Sequence, residues 1–237
     1  MVCRKADKNR LRIGYFADGP WGWRAFDKMI VDDSLEIAFM SVRYEARDSE
    51  LIKRAEENHI PLELSKNVNS EEFLEKMREY DVDLFVSMSF NQILKTEFIN
   101  LPKYKTINCH AGRLPFYRGR NILNWALIND EKEFGITVHY VDEGIDTGDI
   151  ILQEVYPITD EDNYGTLLEQ AYIGCADVLY RAIKIIQSGE VKRIRQRDID
   201  PIGMYCGGRQ EGDEIIDWKQ TSREIFNFIR ALSVPGP

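Results

Sequence analysis

Cysteine is scarce in this sequence and never closely paired. The four cysteines, at positions 3, 109, 175 and 206, form no C-x-x-C motif. That argues against a disulfide framework or a bound metal and for a reducing compartment, the cytoplasm. No stretch approaches the roughly 20 apolar residues needed to cross a bilayer, so no membrane is expected as a partner. The opening Met-Val-Cys-Arg-Lys-Ala-Asp-Lys-Asn-Arg is charged and runs straight into an apolar segment, so no signal peptide is expected. Basic residues are also outnumbered: 31 Lys and Arg face 40 Asp and Glu, for a net charge of −9. Nucleic-acid affinity comes largely from Lys and Arg on phosphates, so nucleic acid is not an expected partner either. Internal repeats and low-complexity segments are absent.

What is present is a chain of 237 residues, ample for a core, with alternating strand-like and helix-like segments. Leu11 to Asp18, Leu35 to Val42, Leu84 to Met88, Thr106 to Cys109, Ile136 to Val141 and Ile150 to Tyr156 read as strands. Helical patterns lie between them, over Trp23 to Val31, Ser49 to Asn58 and Asn69 to Tyr80, with Asn69 the expected N-cap and Glu72 its capping-box partner. A long helix is expected from about Tyr164 to Gln187, closed by Ser188-Gly189. Alternation of this kind predicts an α/β fold, a mostly parallel sheet with helices on both faces. The expected organisation is a main domain over 1–189 and an extension over 190–237 with a loop, a strand and a helix. That last helix opens on the capping box Thr221-Ser222-Arg223-Glu224. It carries Ile225, Phe226, Phe228, Ile229 and Leu232 as an apolar face that should dock on something, a second copy of the chain among the candidates.

Parallel sheets hold ligands at the carboxyl ends of their strands. Three polar segments begin at such ends: Ser89 to Gln92, His110 to Gly112, and Asp142 to Asp149. They are expected to lie close together. In Asn108-Cys109-His110 the alternation of an extended chain puts Asn108 and His110 on one side and Cys109 on the other. An acid from the loop Asp142 to Asp149 could then hold or charge the imidazole, as an acid–base site requires. His139, in a strand, reads as a residue that packs or bonds locally.

Together these segments resemble the N10-formyltetrahydrofolate-dependent formyltransferase family. The marks are Asn108-Cys109-His110, the loop Leu114 to Gly119, and Asp146-Thr147-Gly148-Asp149. The resemblance implies a Rossmann-like formyltransferase fold and a formyl donor, N10-formyltetrahydrofolate. It implies roles too: Asn108 donates to the oxyanion formed when an amine adds to the formyl carbon, His110 assists as acid–base group or second donor, and Asp146 holds His110. It further implies that the pterin meets main-chain groups of Phe90, Asn91, Gln92, Ile93 and Leu94, and of Val141, Asp142 and Asp146.

Within the family the sequence is most similar to the sugar N-formyltransferases, over Tyr117 to Leu127 and Glu211 to Leu232. The loop after the first strand lacks a Gly-x-Gly-x-Asn pattern, unlike glycinamide ribonucleotide enzymes. The acidic charge and short tail are unlike tRNA formyltransferases. The implied acceptor is a nucleotide-linked amino sugar, such as a dTDP-4-amino-4,6-dideoxyhexose used in surface polysaccharide such as O-antigen. Arg118, Arg120 and Arg209 are candidates for its diphosphate, or else residues of a solvated loop. Trp21 could stack on a base or sugar face, or serve the core.

Overall fold

The computed structural model describes residues 10–236. Residues 1–9 of the charged opening segment, Cys3 among them, and Pro237 lie outside them. The chain divides into two compact units between Ile107 and Asn108.

The first unit runs β1 (Leu11–Ala17), α1 (Gly19–Met29), β2 (Leu35–Ser41), α2 (Ser49–Glu57), α3 (Glu71–Glu79), β3 (Leu84–Met88) and α4 (Thr96–Ile99). β1 lies between β2 and β3 and pairs with both in parallel. Its residues are almost all buried, without alternation, as befits a strand covered on both faces. Phe16 is the centre of the core, with its ring edge-on to Phe39, Phe85 and Phe98 at 5.5, 5.2 and 5.0 Å. Gly14 is required beside it, because a Cβ there would lie 2.4 Å from the Phe39 ring.

Two helix starts differ from expectation. α1 begins at Gly19 rather than Trp23, since Pro20 suits a first helical turn, and it ends at Met29, where Asp32 turns the chain by accepting from the Ser34 N–H and hydroxyl. The N-cap of α3 is Ser70, not Asn69: the Ser70 hydroxyl accepts from Phe73 N–H. Asn69 is engaged elsewhere, donating to Ile93 O and accepting from Lys95 N–H.

β4 (Thr106–His110) crosses from one unit into the other. The second unit continues with β5 (Arg118–Gly119), α5 (Ile122–Ile128), β6 (Glu133–Tyr140), β7 (Ile150–Pro157), α6 (Tyr164–Ser188), α7 (Gln196–Ile199), β8 (Tyr205–Cys206) and α8 (Ser222–Ala231). β6 and β7 are antiparallel, β5 and β8 parallel. The pairings are thus mostly parallel and the class is α/β, as the alternation predicts. α6 buries a stripe from Leu167 through Ala171, Val178 and Ala182 to Ile186 against β6 and β7. Its ends follow the sequence: an Asn163 capping box and Gly189 in the left-handed region at φ +77°.

α8 has the expected Thr221 capping box and packs on α5, with its apolar face only partly covered: Ile225, Phe228 and Leu232 are half-buried. The buried side is Asn227, Arg230 and Ala231, whereas Phe226 and Ile229 remain 41% and 53% exposed. Polar anchors fix this roll of the helix. Asn124 donates to Ala231 O, Arg223 pairs with Asp130, and Arg230 donates to Thr159 O. Among the described residues, no helix is long and apolar enough to cross a membrane.

Candidate active site

β4 places Asn108 and His110 on one side, as alternation requires, and Cys109 on the other, where its thiol faces Cys175 O on α6 at 3.7 Å. His110 is 9% exposed, and Asn108 is the one half-buried residue of the strand. His110 Nε2 lies 2.7 Å from Tyr117 O. A carbonyl only accepts, so Nε2 carries the hydrogen and Nδ1 is the ring atom turned to Asp146. Nδ1 and Asp146 Oδ2 are 3.6 Å apart. Gly112 keeps this geometry open: a Cβ there would sit 2.4 Å from both His110 Nε2 and Tyr117 O.

Asp146 reaches the imidazole from the loop between β6 and β7, the connection that alternation marked as acid-rich. Its backbone is left-handed, φ +54°. Asp142 folds that loop, accepting from Gly144 N–H at 3.1 Å and from the Thr147 hydroxyl at 2.5 Å. Gly148 is required where it stands, because a Cβ would fall 1.8 Å from Tyr140 O. Asp146 Oδ2 accepts from Gly119 N–H at 3.0 Å.

His139 belongs to the same constellation, which its position in a strand did not reveal. It is 2% exposed; Nδ1 donates to Tyr140 O at 2.8 Å. Its Nε2 stands 3.4 Å from Asn108 Nδ2 and 3.5 Å from Asp146 Oδ1. The Asp146 carboxylate therefore sits between two imidazoles, one of which also touches the Asn108 amide. A signal did exist: Thr137-x-His139 is a second polar pair at strand spacing, on the apolar strand that leads into the acid loop. Thr137 donates to Gly112 O at 2.7 Å and so steadies the turn after His110.

Charge follows from this packing. Burial holds the His110 imidazole below its ordinary value, with the Asp146 carboxylate opposing it. Burial presses the Asp146 carboxyl upward, but the two imidazoles and the Gly119 N–H outweigh it and keep it below the usual carboxylate range. A buried carboxylate beside an uncharged imidazole is an arrangement that can take up and return one proton at His110 Nδ1.

The remaining predicted residues divide between the units. In the first, Gln92 is tied down by its side chain, accepting from Val68 N–H and donating to Ser65 O. Phe90 lies on Phe16, ring centroids 5.5 Å apart, Leu94 is buried, and Asn91 and Ile93 are exposed. The Gln92 side chain is thus engaged with the 65–68 segment, and that of Asp142, in the second unit, within its own loop. Val141 is half-buried at the end of β6. Trp21 is half-buried in the first turn of α1.

The arginines depart from an acceptor-binding role in one case. Arg118 is 7% exposed and its guanidinium is engaged inside the fold, with Nε and Nη2 donating to Gln196 Oε1 at 3.0 and 2.8 Å and Nη1 to Ile202 O. An arginine so engaged is held within the fold by its own hydrogen bonds, which is not the open placement expected for a diphosphate contact. Arg209 donates to Asp213 O at 2.7 Å, and Arg120 is exposed.

The chain is similar to known proteins. A family model described as "Formyl transferase" matches residues 35–182. A methionyl-tRNA formyltransferase of Fusobacterium nucleatum is 40% identical over 176 residues, 74% of this chain and 56% of that protein. The chain thus spans little more than half the length of the curated relatives it matches. A 4-N formyltransferase from Francisella tularensis has a similar fold, TM-score 0.77 at 23% identity, covering 96% of this chain and 90% of that one. So does an N-formyltransferase from Helicobacter canadensis, solved with folinic acid and dTDP-3-aminofucose: TM-score 0.74, 24% identity, 94% and 80% covered. With the model spanning more than half of its length and the two segments Asn108–His110 and Asp142–Asp149 meeting as described, the chain belongs to the formyl transferase family.

Proposed function

We propose that this protein transfers the formyl group of N10-formyltetrahydrofolate to the amino group of a nucleotide-linked amino sugar, a dTDP-4-amino-4,6-dideoxyhexose being the leading acceptor. The observation that carries formyl transfer is the meeting of Asn108, His110 and Asp146, with the charge state just described, in a chain of this family. The amine nitrogen adds to the formyl carbon and the carbonyl oxygen becomes an oxyanion. Asn108 donates to that oxygen; one such donor is worth about 3–4 kcal/mol in other preorganised sites. The proton that leaves the amine is held at His110 Nδ1 against the Asp146 carboxylate. It then passes to N10 of the folate as the bond between N10 and the formyl carbon breaks, leaving a formamide and tetrahydrofolate. Main chain around Phe90 to Leu94 and at Val141, Asp142 and Asp146 holds the pterin in this reading. Trp21, Arg120 and Arg209 remain the acceptor-side residues.

The sugar acceptor is supported by fold likeness that runs through residues beyond 190, and by the net charge of −9. On this reading the enzyme is cytoplasmic and works in surface-polysaccharide synthesis such as that of O-antigen. It has small-molecule substrates only, and the exposed apolar residues of α8 form a homodimer face. A second reading, transfer to methionyl-tRNA, is favoured by the 40% identity to a protein of that activity. The test is a panel of dTDP- and UDP-linked amino sugars and charged initiator tRNA, each mixed with protein and N10-formyltetrahydrofolate. A sugar nucleotide heavier by one formyl group supports the proposal and formylated methionyl-tRNA replaces it with the second reading. No release of tetrahydrofolate with any amine refutes both.

A further inference from the structure

Asp146 stands in a conformation that groups outside its own loop help to secure. A non-glycine residue at φ +54° costs about 1 kcal/mol or more and persists only where neighbours hold it. The neighbours are distant in sequence. Gln196, 3% exposed at the start of α7, donates through Nε2 to Asp146 O and to Gly148 O, both at 2.8 Å. Its Oε1 in turn accepts two hydrogen bonds from Arg118. Every polar atom of the Gln196 amide is thereby matched, and the two carbonyls that flank Thr147 share one donor group.

The segment bearing Gln196 is fastened on both sides of it. Before it, Ile194 exchanges hydrogen bonds with Ile150 at 2.8 and 3.0 Å, at the end of the acid loop. After it, β8 pairs with β5, through Arg118 N–H to Met204 O and Arg120 N–H to Cys206 O. Between those two bonds lies Gly119, whose N–H goes to Asp146 Oδ2. Gly119 is needed there, since a Cβ would meet Cys206 O at 2.3 Å. One ring of contacts therefore joins the side chain of Asp146 to β5, β5 to the 194–206 segment, and that segment to the main chain of Asp146.

We propose that Gln196 and Arg118 are positioning residues for the reaction: a buried amide–guanidinium clamp that sets the main chain at 146–148 and so aims the Asp146 carboxylate at His110. The proposal rests on the reading of Asn108, His110 and Asp146 as the reacting groups. It gives Arg118 a task different from diphosphate binding and assigns residues 194–206 a share in the active site. The clamp acts on geometry alone; a misplacement of about 1 Å at such a site can cost about 100-fold in rate.

The test compares Gln196→Glu, Gln196→Ala, Arg118→Lys, Arg118→Ala and the double variant Gln196→Ala/Arg118→Ala with wild type. Gln196→Glu is the informative variant: it keeps an oxygen acceptor for Arg118, now a carboxylate, but removes the two N–H groups that reach Asp146 O and Gly148 O. Circular dichroism and urea titration establish that each variant is folded. Expected are a kcat lower by tenfold or more with donor KM within about threefold, and effects of Gln196→Ala and Arg118→Ala that fail to add in the double variant. A second readout needs no turnover. With the carboxylate displaced, the His110 imidazole, followed by NMR, titrates lower than in wild type. Wild-type kcat together with an unmoved His110 titration in folded Gln196→Glu overturns the proposal. If wild-type protein itself forms no formylated product, it is the functional reading that has failed, and the His110 titration alone decides the clamp. Should Gln196→Ala not fold, Gln196→Glu and Arg118→Lys carry the comparison.

Discussion

Replacing Asp146 by Asn removes one charge and almost no volume, and so isolates what the carboxylate does. In the structure it stands 3.6 Å from His110 Nδ1, with the two side chains only 10% and 14% exposed, so solvent screens the pair weakly. Two unit charges at that separation, in an effective dielectric of about 20, interact by about 4–5 kcal/mol. On the proposed mechanism, that is the stabilisation available to His110 once it has accepted the amine's proton. It is absent before proton transfer, when the ring is neutral. An interaction made only on the way to the transition state appears in kcat and kcat/KM equally. At about 1.4 kcal/mol per decade, the expected loss in Asp146→Asn is about 1,000-fold. The assay is product mass together with free tetrahydrofolate, under saturating acceptor and varied donor. NMR of the His110 ring provides the companion measurement, and the titration should move further below its ordinary value in the variant. A kcat within threefold of wild type would refute the reasoning. So would a raised donor KM at unchanged kcat, which would make Asp146 a donor-binding residue and not a partner of His110.

Three further outcomes follow from the same geometry. Gly112→Ala should place a methyl group against His110 Nε2 and Tyr117 O and push the ring off its hydrogen bond. We expect at least about a 100-fold loss of kcat with a native circular dichroism spectrum, and full activity would contradict the ring position. His139→Leu should free the Asn108 amide and take one imidazole from Asp146. A loss of about tenfold to 100-fold in kcat is expected, and a rate equal to wild type would reduce His139 to a packing residue. The third outcome concerns pH. His110 has a depressed folded value, so the unfolded chain takes up its proton first as pH falls. Its contribution is whole above about 6.5 and is lost progressively below that. Asp146 is also depressed, and its contribution is lost only below about pH 4. Urea unfolding at pH 7.5 and 5 should therefore show a larger drop in stability for wild type than for His110→Gln, and equal drops would contradict the burial effect.

The residues show what a single sequence can carry. Asn108 and His110 were legible because strand alternation is a strict period of two, and Asp146 because its loop matches a family pattern. His139 was not, since one histidine in an apolar strand looks the same whether it meets an active site or a core. Its two site partners, Asn108 and Asp146, become neighbours only after the chain folds. Arg118 failed for a similar reason. Near a glycine and a second arginine it reads as an anion site, while its actual partner, Gln196, lies in a segment with no recognisable motif. Helix ends followed local chemistry where one residue had one task, as at Thr221, Asn163 and Gly189. They slipped where a residue was claimed from elsewhere, as Asn69 is by Ile93 and Lys95. The apolar face of α8 was visible in the sequence, but the roll of the helix was set by Arg223, Arg230 and Asn124, whose partners are remote.

The pairing of β5 with β8 bears on how such enzymes can be recombined. The family pattern covers 35–182, and a chimera designed on it would join this catalytic segment to a relative's tail at some point past Gly189. In that hybrid the acid loop would come from one parent and its fastening from the other. Arg118 and Gln196 would be inherited separately, as would Gly119 and the Cys206 carbonyl that crowds it. Grafts that move 194–206 together with the loop at 142–149 and the turn at 117–120 keep these partners matched. Grafts that split them part the Asp146 carboxylate from the groups that hold it, even when every signature residue is retained.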